Sequence, residues 1–211
     1  VPGDDPDCAV NGALLATASF DHTARLWDST TGEPRSEPMR HLDGVISAVF
    51  HPDGDRVATC ARDGTVRVWR IGGRTPLLRQ LTQGTRVRHC EFSSDGKLFA
   101  IAGDDGVARV WNTESADEPV SFEHKKGVSW VAFSADSQQF VTAGRGGNAK
   151  VWNIRDAVLS TEVSIKSKCW QAHFSPFGNE LLVSGIHSNA YVFALPGGEL
   201  KFRTGAQCDK V

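Results

Sequence analysis

Histidine, aspartate and cysteine residues lie where acid–base or nucleophilic chemistry could be expected. His41, Asp63 and His124 are titratable groups of the types used in proton transfer. His89 directly precedes Cys90, a base beside a nucleophile, but adjacent residues of a strand point to opposite faces and cannot act together. The placement of His41, Asp63 and His124 follows a repeat described below, which favours a structural role. We therefore expect no catalytic residues and no enzymatic activity.

The sequence also predicts neither a metal site nor a cofactor. The five cysteines are odd in number and scattered, without a CxxC spacing, which argues against zinc binding and against a disulfide framework. The Asp-Gly pairs lack the alternating oxygen ligands of a calcium loop. The glycine-rich segments 103–106 and 144–147 are not followed by a helix, so they do not resemble phosphate-binding loops.

Regularly spaced tryptophans reveal an internal repeat. Trp27, Trp69, Trp111 and Trp152 each end a short strand-like run, with steps of 42, 42 and 41 residues, and a further step of 41 reaches Phe193. A period of this length indicates that each repeat is one supersecondary unit. The period covers nearly the whole chain.

Each repeat has the same internal order, which predicts an all-β fold. An apolar run comes first, at 45–50, 87–92, 128–133 and 169–174. A turn, a second run, an Asp-Gly type turn and the run ending in Trp follow, and a more polar run comes last, near 77–81, 120–122 and 158–163. Four short antiparallel strands in each period of about 40–45 residues are typical of propeller blades. Residues 1–8 are rich in Pro and Asp and do not resemble a strand.

These features resemble the WD-repeat β-propeller family. Trp27-Asp28 is the dipeptide that gives the family its name, and it degrades to Trp69-Arg70, Trp111-Asn112 and Trp152-Asn153. The resemblance covers about residues 10–204. It implies approximate blades at 1–40, 41–82, 83–123, 124–164 and 165–204, with 205–211 as the start of a further blade.

The resemblance also implies a hydrogen-bonded tetrad of His, Ser or Thr, Asp and Trp in each blade. Blade two has every member, whereas blade three has Gln83 and Ile101, blade four has Gly146 in place of Asp, and blade five keeps none of the four. The implied tetrad residues are Thr17, Asp21 and Trp27; His41, Thr59, Asp63 and Trp69; Asp105 and Trp111; and His124, Thr142 and Trp152.

About five blades leave two alternatives for the ring, because closed propellers have 4–8 blades. First strands start 17 or 18 residues after the preceding Trp, so a sixth blade would begin near Val211. We expect a segment of a larger ring of the seven-bladed type, or an insertion near residues 1–7. A genuine five-bladed ring is the alternative.

The face that carries the turn before each third strand is the expected docking surface, since WD-repeat proteins commonly bind partners there. Arg and aromatic residues are enriched at interface anchors, and this face combines basic with large apolar residues. The alternative is that strand ends facing solvent simply carry charge. The predicted partner-binding residues are Phe20, Ile46, Arg62, Arg86, Arg88, Arg145, Lys168 and Trp170.

The expected function is a non-catalytic scaffold that docks partner proteins, with an acidic segment as the preferred ligand. Further expected partners are the remaining blades or flanking domains of a larger polypeptide. The alternatives are a regulatory or sensor propeller that binds a small ligand in its channel, or a propeller-type enzyme. The net charge of −2 disfavours nucleic acid. No apolar run is long enough for a membrane span, and the cysteine pattern favours a reducing, cytoplasmic location.

Overall fold

The fold is all-β, as the sequence predicts. The computed structural model describes residues 8–72, 76–115, 117–186 and 189–204, and in these ranges the regular elements are strands. They form five antiparallel sheets of four consecutive strands each. No helix that could cross a membrane occurs in these ranges. The predicted insertion near 1–7 and the predicted blade start at 205–211 lie outside the described residues.

The chain divides into two compact units, Val1–Phe92 and Ser93–Val211. The first unit contains nine strands among its described residues. They are β1 Cys8–Asn11, β2 Leu14–Ala18, β3 Thr23–Asp28, β4 Met39–Arg40, β5 Val45–Phe50, β6 Arg56–Ala61, β7 Thr65–Arg70, β8 Leu77–Thr82 and β9 Val87–Phe92.

The second unit contains the remaining eleven described strands. They are β10 Leu98–Gly103, β11 Val107–Asn112, β12 Val120–Glu123, β13 Val128–Phe133, β14 Gln139–Gly144, β15 Asn148–Asn153, β16 Leu159–Ser164, β17 Cys169–Phe174, β18 Glu180–Gly185, β19 Ala190–Ala194 and β20 Leu200–Arg203. The sheets are β1–β4, β5–β8, β9–β12, β13–β16 and β17–β20.

The first strand begins earlier than its composition suggests. Residues up to Cys8 do not resemble a strand, yet Cys8–Asn11 forms β1 and pairs antiparallel with Leu14–Ala18. Gly12, with φ of 56°, lies in the turn that joins the two strands and adopts a left-handed conformation that glycine tolerates. The missed strand is therefore specified by its hairpin partner and its turn.

In the fourth sheet the inner strand β14 is buried on both faces, whereas the outer strand β16 is more polar and more exposed. In β14, every residue after Gln139 is buried, while in β16 exposed and buried residues alternate. Val141 and Ala143 of the fourth sheet share a core with Leu181 and Val183 of the fifth. Packing of sheet against sheet explains why the inner strands read as continuous apolar runs.

The fifth sheet buries only one of its faces within the second unit. Leu181 and Val183 are fully buried, but Leu182 between them is 42% exposed. Leu182 pairs with Val192, which pairs with Phe202, and Phe202 is 56% exposed. These three residues form an apolar row across the sheet, and we call it the open row.

The expectation that no cysteine forms a disulfide is wrong for one pair. Cys60 of β6 and Cys90 of β9 are joined, and both are fully buried in the first unit. The sequence separation of 30 residues hides this contact, because it arises from the stacking of strands in successive sheets. Cys169 is buried as a free thiol. The cytoplasmic location loses its support from cysteine usage and stays a prediction.

Candidate functional site

A relay of hydrogen bonds runs through the second sheet. The indole Nε1 of Trp69 donates to Thr59 Oγ1 at 2.8 Å, and Thr59 Oγ1 lies 2.7 Å from His41 Nε2. On the other side of the ring, His41 Nδ1 lies 3.1 Å from Thr65 Oγ1, which donates to Asp63 Oδ1 at 2.6 Å. Thr65 is a fifth member that the sequence analysis missed. His41 Nδ1 also lies 3.6 Å from Asp63 Oδ2.

The protons of this relay point in one direction. Burial lowers the pKa of His41 to about 4, with a further contribution from the nearby Arg67 charge, so the ring is neutral at pH 7. Thr65 gives its proton to Asp63, so its oxygen can only accept from His41, and Nδ1 carries the hydrogen. Nε2 then accepts the Thr59 proton. The relay therefore starts at the indole N–H and ends on a carboxylate.

Asp63 is the acceptor on which the relay ends. It accepts from the backbone N–H of Leu42 at 2.9 Å and from Thr65 N–H at 2.8 Å, in addition to the Thr65 hydroxyl. Burial raises the pKa of Asp63, but these hydrogen bonds outweigh it and hold the pKa below its ordinary value. All these groups are occupied by one another, which suits a structural role better than acid–base chemistry.

Other sheets keep only parts of this arrangement. In the first sheet Trp27 Nε1 donates to Thr17 Oγ1 at 2.8 Å, and Asp21 accepts from Thr23 instead of a histidine. In the third sheet, Asp105 forms an ion pair with Arg109 at 2.7 Å. The implied partner of Trp111 is absent there because position 101 is Ile.

The fourth sheet has a relay that stops at its histidine. Trp152 Nε1 donates to Thr142 Oγ1 at 2.9 Å, and Thr142 Oγ1 lies 2.6 Å from His124 Nε2. His124 Nδ1 is buried and has no hydrogen-bond partner among the described residues. Gly146 stands where the second sheet has Asp63. Burial and the Lys150 charge lower the pKa of His124 to about 4, so this ring is also neutral at pH 7.

The predicted partner-binding residues of the first unit are mostly half-buried. The Arg62 guanidinium lies 4.3 Å from the centre of the Phe20 ring, a cation–π contact that leaves Phe20 39% exposed. Arg86 and Arg88 are partly exposed. Ile46 is only 7% exposed, so its side chain is withdrawn from any docking surface. It is buried because the first strand of the sheet is packed on both faces.

In the second unit, Arg145 and Lys168 lie on loops that meet at one end of the sheets, and Trp170 lies near the start of β17. Arg145 pairs with Asp104 at 3.2 Å, and its backbone N–H donates to Gly127 O. Gly147 approaches the backbone of Ser167, where a Cβ would lie 2.9 Å from the Ser167 carbonyl oxygen. The loop after β14 is thus in contact with both neighbouring loops. Lys168 is exposed and Trp170 half-buried beside them in sequence.

Three further lysines lie on these loops and were missed. They lie two or three residues before β13 and β17, whereas the sequence analysis considered only the residues directly at the start of these strands. We call the whole set the basic rim, and it consists of the partly or fully exposed residues Lys125, Lys126, Arg145, Lys166 and Lys168.

No group of three or more His, Cys, Asp or Glu side chains in the described ranges is arranged to hold a metal ion. A cleft of about 460 Å³ lies at the opposite end of the second unit, lined by Asp136, Arg155 and Phe177 among others. Phe177 is 90% exposed at its edge. The cleft is lined by turns and strand ends and includes the polar side chains of Gln138 and Asn153.

Comparison with known families matches the repeat directly. The family model described as WD domain, G-beta repeat matches residues 7–28, 32–70, 76–112 and 118–153. The chain is a WD-repeat protein. The first four sheets are therefore WD-repeat blades, whereas the fifth sheet lies beyond the matched segments.

Three curated relatives match single stretches of this WD-repeat chain. A periodic tryptophan protein 2 homolog of Schizosaccharomyces pombe is 43% identical over 47 residues, 22% of this chain and 6% of that protein. The human F-box-like/WD repeat-containing protein TBL1Y is 49% identical over 41 residues, which are 19% of this chain and 8% of that protein. Periodic tryptophan protein 2 of Arabidopsis thaliana is 41% identical over 44 residues, which are 21% of this chain and 5% of that protein. The matches span less than a tenth of each relative, so they support a protein-interaction scaffold in general terms only.

Proposed function

We propose that this chain is a non-catalytic scaffold that docks a protein partner on the loop end of its second unit. The observation that carries the proposal is the basic rim, which gathers five cations on loops in contact with one another. Asp104 neutralises part of the charge through Arg145. The four lysines remain exposed to solvent.

The partner that fits this surface presents an acidic segment with one large apolar side chain. Lysine and arginine attract carboxylates, and arginine can bind them with two parallel hydrogen bonds. Trp170 is half-buried next to Lys168 and can anchor an apolar group. Arg86 and Arg88 stay predicted partner-binding residues of the first unit. Remaining blades or flanking domains of a longer polypeptide are additional proposed partners.

A selection of displayed peptides on the chain, followed by fluorescence anisotropy, tests this function. We expect selected peptides to combine Asp or Glu with an apolar anchor. Trp170→Ala and Lys168→Glu should each weaken binding by about 2 kcal/mol with an unchanged thermal midpoint.

Arg155→Glu is the matched control, because Arg155 is an exposed cation at the opposite end of the second unit. It should leave affinity unchanged. If the rim variants bind normally while Leu159→Lys on the outer strand β16 abolishes binding, the outer strands are the working surface and the proposal fails.

A further inference from the structure

The second and fourth blades differ at the point where the relay ends. In the second blade, three donors converge on the Asp63 carboxylate: the Thr65 hydroxyl, Thr65 N–H and Leu42 N–H. The His41 ring reaches that carboxylate through Thr65. The second blade therefore shows which groups gather around an acceptor at this position.

The fourth blade keeps part of this donor set, but Gly146 provides no acceptor side chain. Lys125 follows His124 as Leu42 follows His41, and its backbone N–H has no hydrogen-bond partner among the described residues. Asn148 replaces Thr65, and its amide donates to Glu162. Thr142 Oγ1 lies 2.6 Å from His124 Nε2 and 3.4 Å from the Lys150 carbonyl oxygen. The much shorter contact assigns the Thr142 proton to Nε2, so a neutral His124 carries its own hydrogen on Nδ1. This N–H donor is buried and has no acceptor in the part of the chain that the structure describes.

The Nδ1 edge of His124 faces the glycine turn. A Cβ built at Gly144 would lie 2.3 Å from Nδ1, so the ring edge is directed against the turn 144–147. His124 is only 9% exposed, yet Gly146 in this turn is exposed. A Cβ at Gly146 would meet only Asn148 Oδ1, at 3.2 Å, and the φ of Gly146 is not in the left-handed region. A side chain or ligand can therefore occupy the space beside Gly146.

The surrounding charge suits an anion. Arg145 lies within the turn 144–147, and the turn contacts the loops that carry the lysines of the basic rim, through Gly127 on one side and Ser167 on the other. Glu162 is the opposing charge on the neighbouring strand β16, and its Oε1 accepts from Asn148. A buried N–H donor without an acceptor destabilises the fold, and a charged acceptor forms the stronger hydrogen bond.

We propose that a carboxylate from a partner protein, an Asp or Glu side chain, enters beside Gly146 and accepts hydrogen bonds from His124 Nδ1–H and Lys125 N–H. The partner thereby completes in trans the relay that Asp63 completes within the second blade. This inference rests on the proposed scaffold function and names the ligand group and its position.

Acetate tests the site without any knowledge of the partner. In the protein with ¹⁵N-labelled histidine, acetate titrated against chloride at constant ionic strength should shift the His124 imidazole resonances saturably. The His41 resonances should not move, because Asp63 already occupies that position. No saturable shift at His124, or equal shifts at both histidines, would overturn the proposal.

Two substitutions at one position separate occupancy from charge. Gly146→Asp supplies the carboxylate within the chain, and it should raise the thermal midpoint and abolish the acetate shift. Gly146→Asn fills the same space without changing the net charge, and it should abolish the acetate shift as well. An acetate shift that persists at His124 in the Asn variant would show general attraction to the rim and contradict insertion.

The peptide selected on the rim completes the test. Its affinity should fall about tenfold or more in Gly146→Asn, as expected for loss of a hydrogen bond to a charged group. If Gly146→Asn retains full affinity while Lys168→Glu loses it, the docking function stands and carboxylate insertion is wrong. If neither variant changes affinity but acetate still shifts His124, the site exists and the proposed docking surface is wrong.

Discussion

At the scale of single residues, the relay in the second blade depends on a residue that the family pattern does not include. Thr65 connects His41 to Asp63, and Thr23 contacts Asp21 in the same way at 2.6 Å in the first blade. The Asp-x-Thr pattern at 21–23 and 63–65 is visible in the sequence and would have identified both threonines. The unfilled acceptor position in the fourth blade was harder to predict from the sequence, because Gly146 by itself does not reveal which hydrogen-bond donors remain around it.

Removal of the Asp63 carboxylate should cost more stability than removal of a carboxylate in an exposed turn. Asp63→Ala leaves the Thr65 hydroxyl and the Leu42 N–H without their acceptor, and we expect a loss of about 2 kcal/mol in chemical denaturation. Asp53→Ala is the control, since Asp53 is 37% exposed and pairs with Arg56 at the surface, and it should cost less than about 1 kcal/mol. Equal losses would mean that Asp63 is not the end of a buried relay.

Stability should fall as the pH drops from about 6.5 to 4. His41 and His124 have a pKa of about 4 in the folded chain against an ordinary value of 6.5, because burial disfavours their charged forms. The unfolded chain therefore binds more protons in this window, at a cost on the order of 3 kcal/mol for each histidine. Burial lowers the pKa of His173 as well and adds to the same trend.

Urea denaturation at a series of pH values measures this dependence. The double variant His41→Gln/His124→Gln should start from lower stability but lose less of it across the window. The Asp63 pKa is below its ordinary value of 3.8, so its contribution disappears only under more acidic conditions. A wild-type chain with constant stability from pH 6.5 to 4 would show that the histidines are not buried in neutral form.

At the scale of strands and sheets, the period of the tryptophans predicts most bounds closely. The predicted first strands 45–50, 128–133 and 169–174 coincide with β5, β13 and β17. The register within each sheet was not predictable, since all three first strands have an irregularity near their start, as between Val45 and Ser47. A bulge shifts one residue out of alternation, and a pattern of buried and exposed residues tolerates that shift.

The disulfide between β6 and β9 should stabilise the first unit measurably. It closes a loop with a sequence separation of 30 residues, and the entropy of loop closure predicts about 3 kcal/mol. Guanidinium denaturation with and without a phosphine reductant measures the effect. Alkylation of the denatured chain without reduction should leave Cys60 and Cys90 unmodified, and reduction before alkylation should add two further alkyl groups to the intact mass.

Cys169→Ala provides a control for this measurement, because Cys169 is a buried free thiol whose pKa burial raises to about 12. Its stability should remain sensitive to the reductant. The double variant Cys60→Ala/Cys90→Ala should be insensitive. A wild-type chain that is equally stable with and without reductant would contradict a stabilising bond.

At the scale of the whole molecule, the sequence predicts blade type and number better than it predicts what the blades leave exposed. The repeat specifies four strands per sheet because three apolar runs and one more polar run are separated by turns in each period. Leu182, by contrast, looks like the buried residue of any inner strand, and Phe202 looks like the apolar residue of any fourth strand; only their exposure in the folded chain reveals the open row.

We expect the isolated chain to self-associate through the open row. Leu182 and Phe202 are exposed beside one another across the fifth sheet, and contiguous apolar surface favours contact with another chain. Sedimentation velocity should show a concentration-dependent shift, and Leu182→Lys should remove it. Leu159→Lys, with a similar exposure of 39% on an outer strand, should leave it unchanged. A wild-type monomer at all concentrations would contradict this role.

The order of the strands has a consequence for how the chain is made. Each described sheet joins four strands that are consecutive in sequence, so a blade is complete as soon as its own residues have left the ribosome. At about 5–20 residues per second, a repeat of this length emerges in roughly 2–8 s, far longer than hairpin formation takes. Each blade can therefore fold before the next one appears, and the one-sided burial of the fifth sheet resembles the state of every newly made blade.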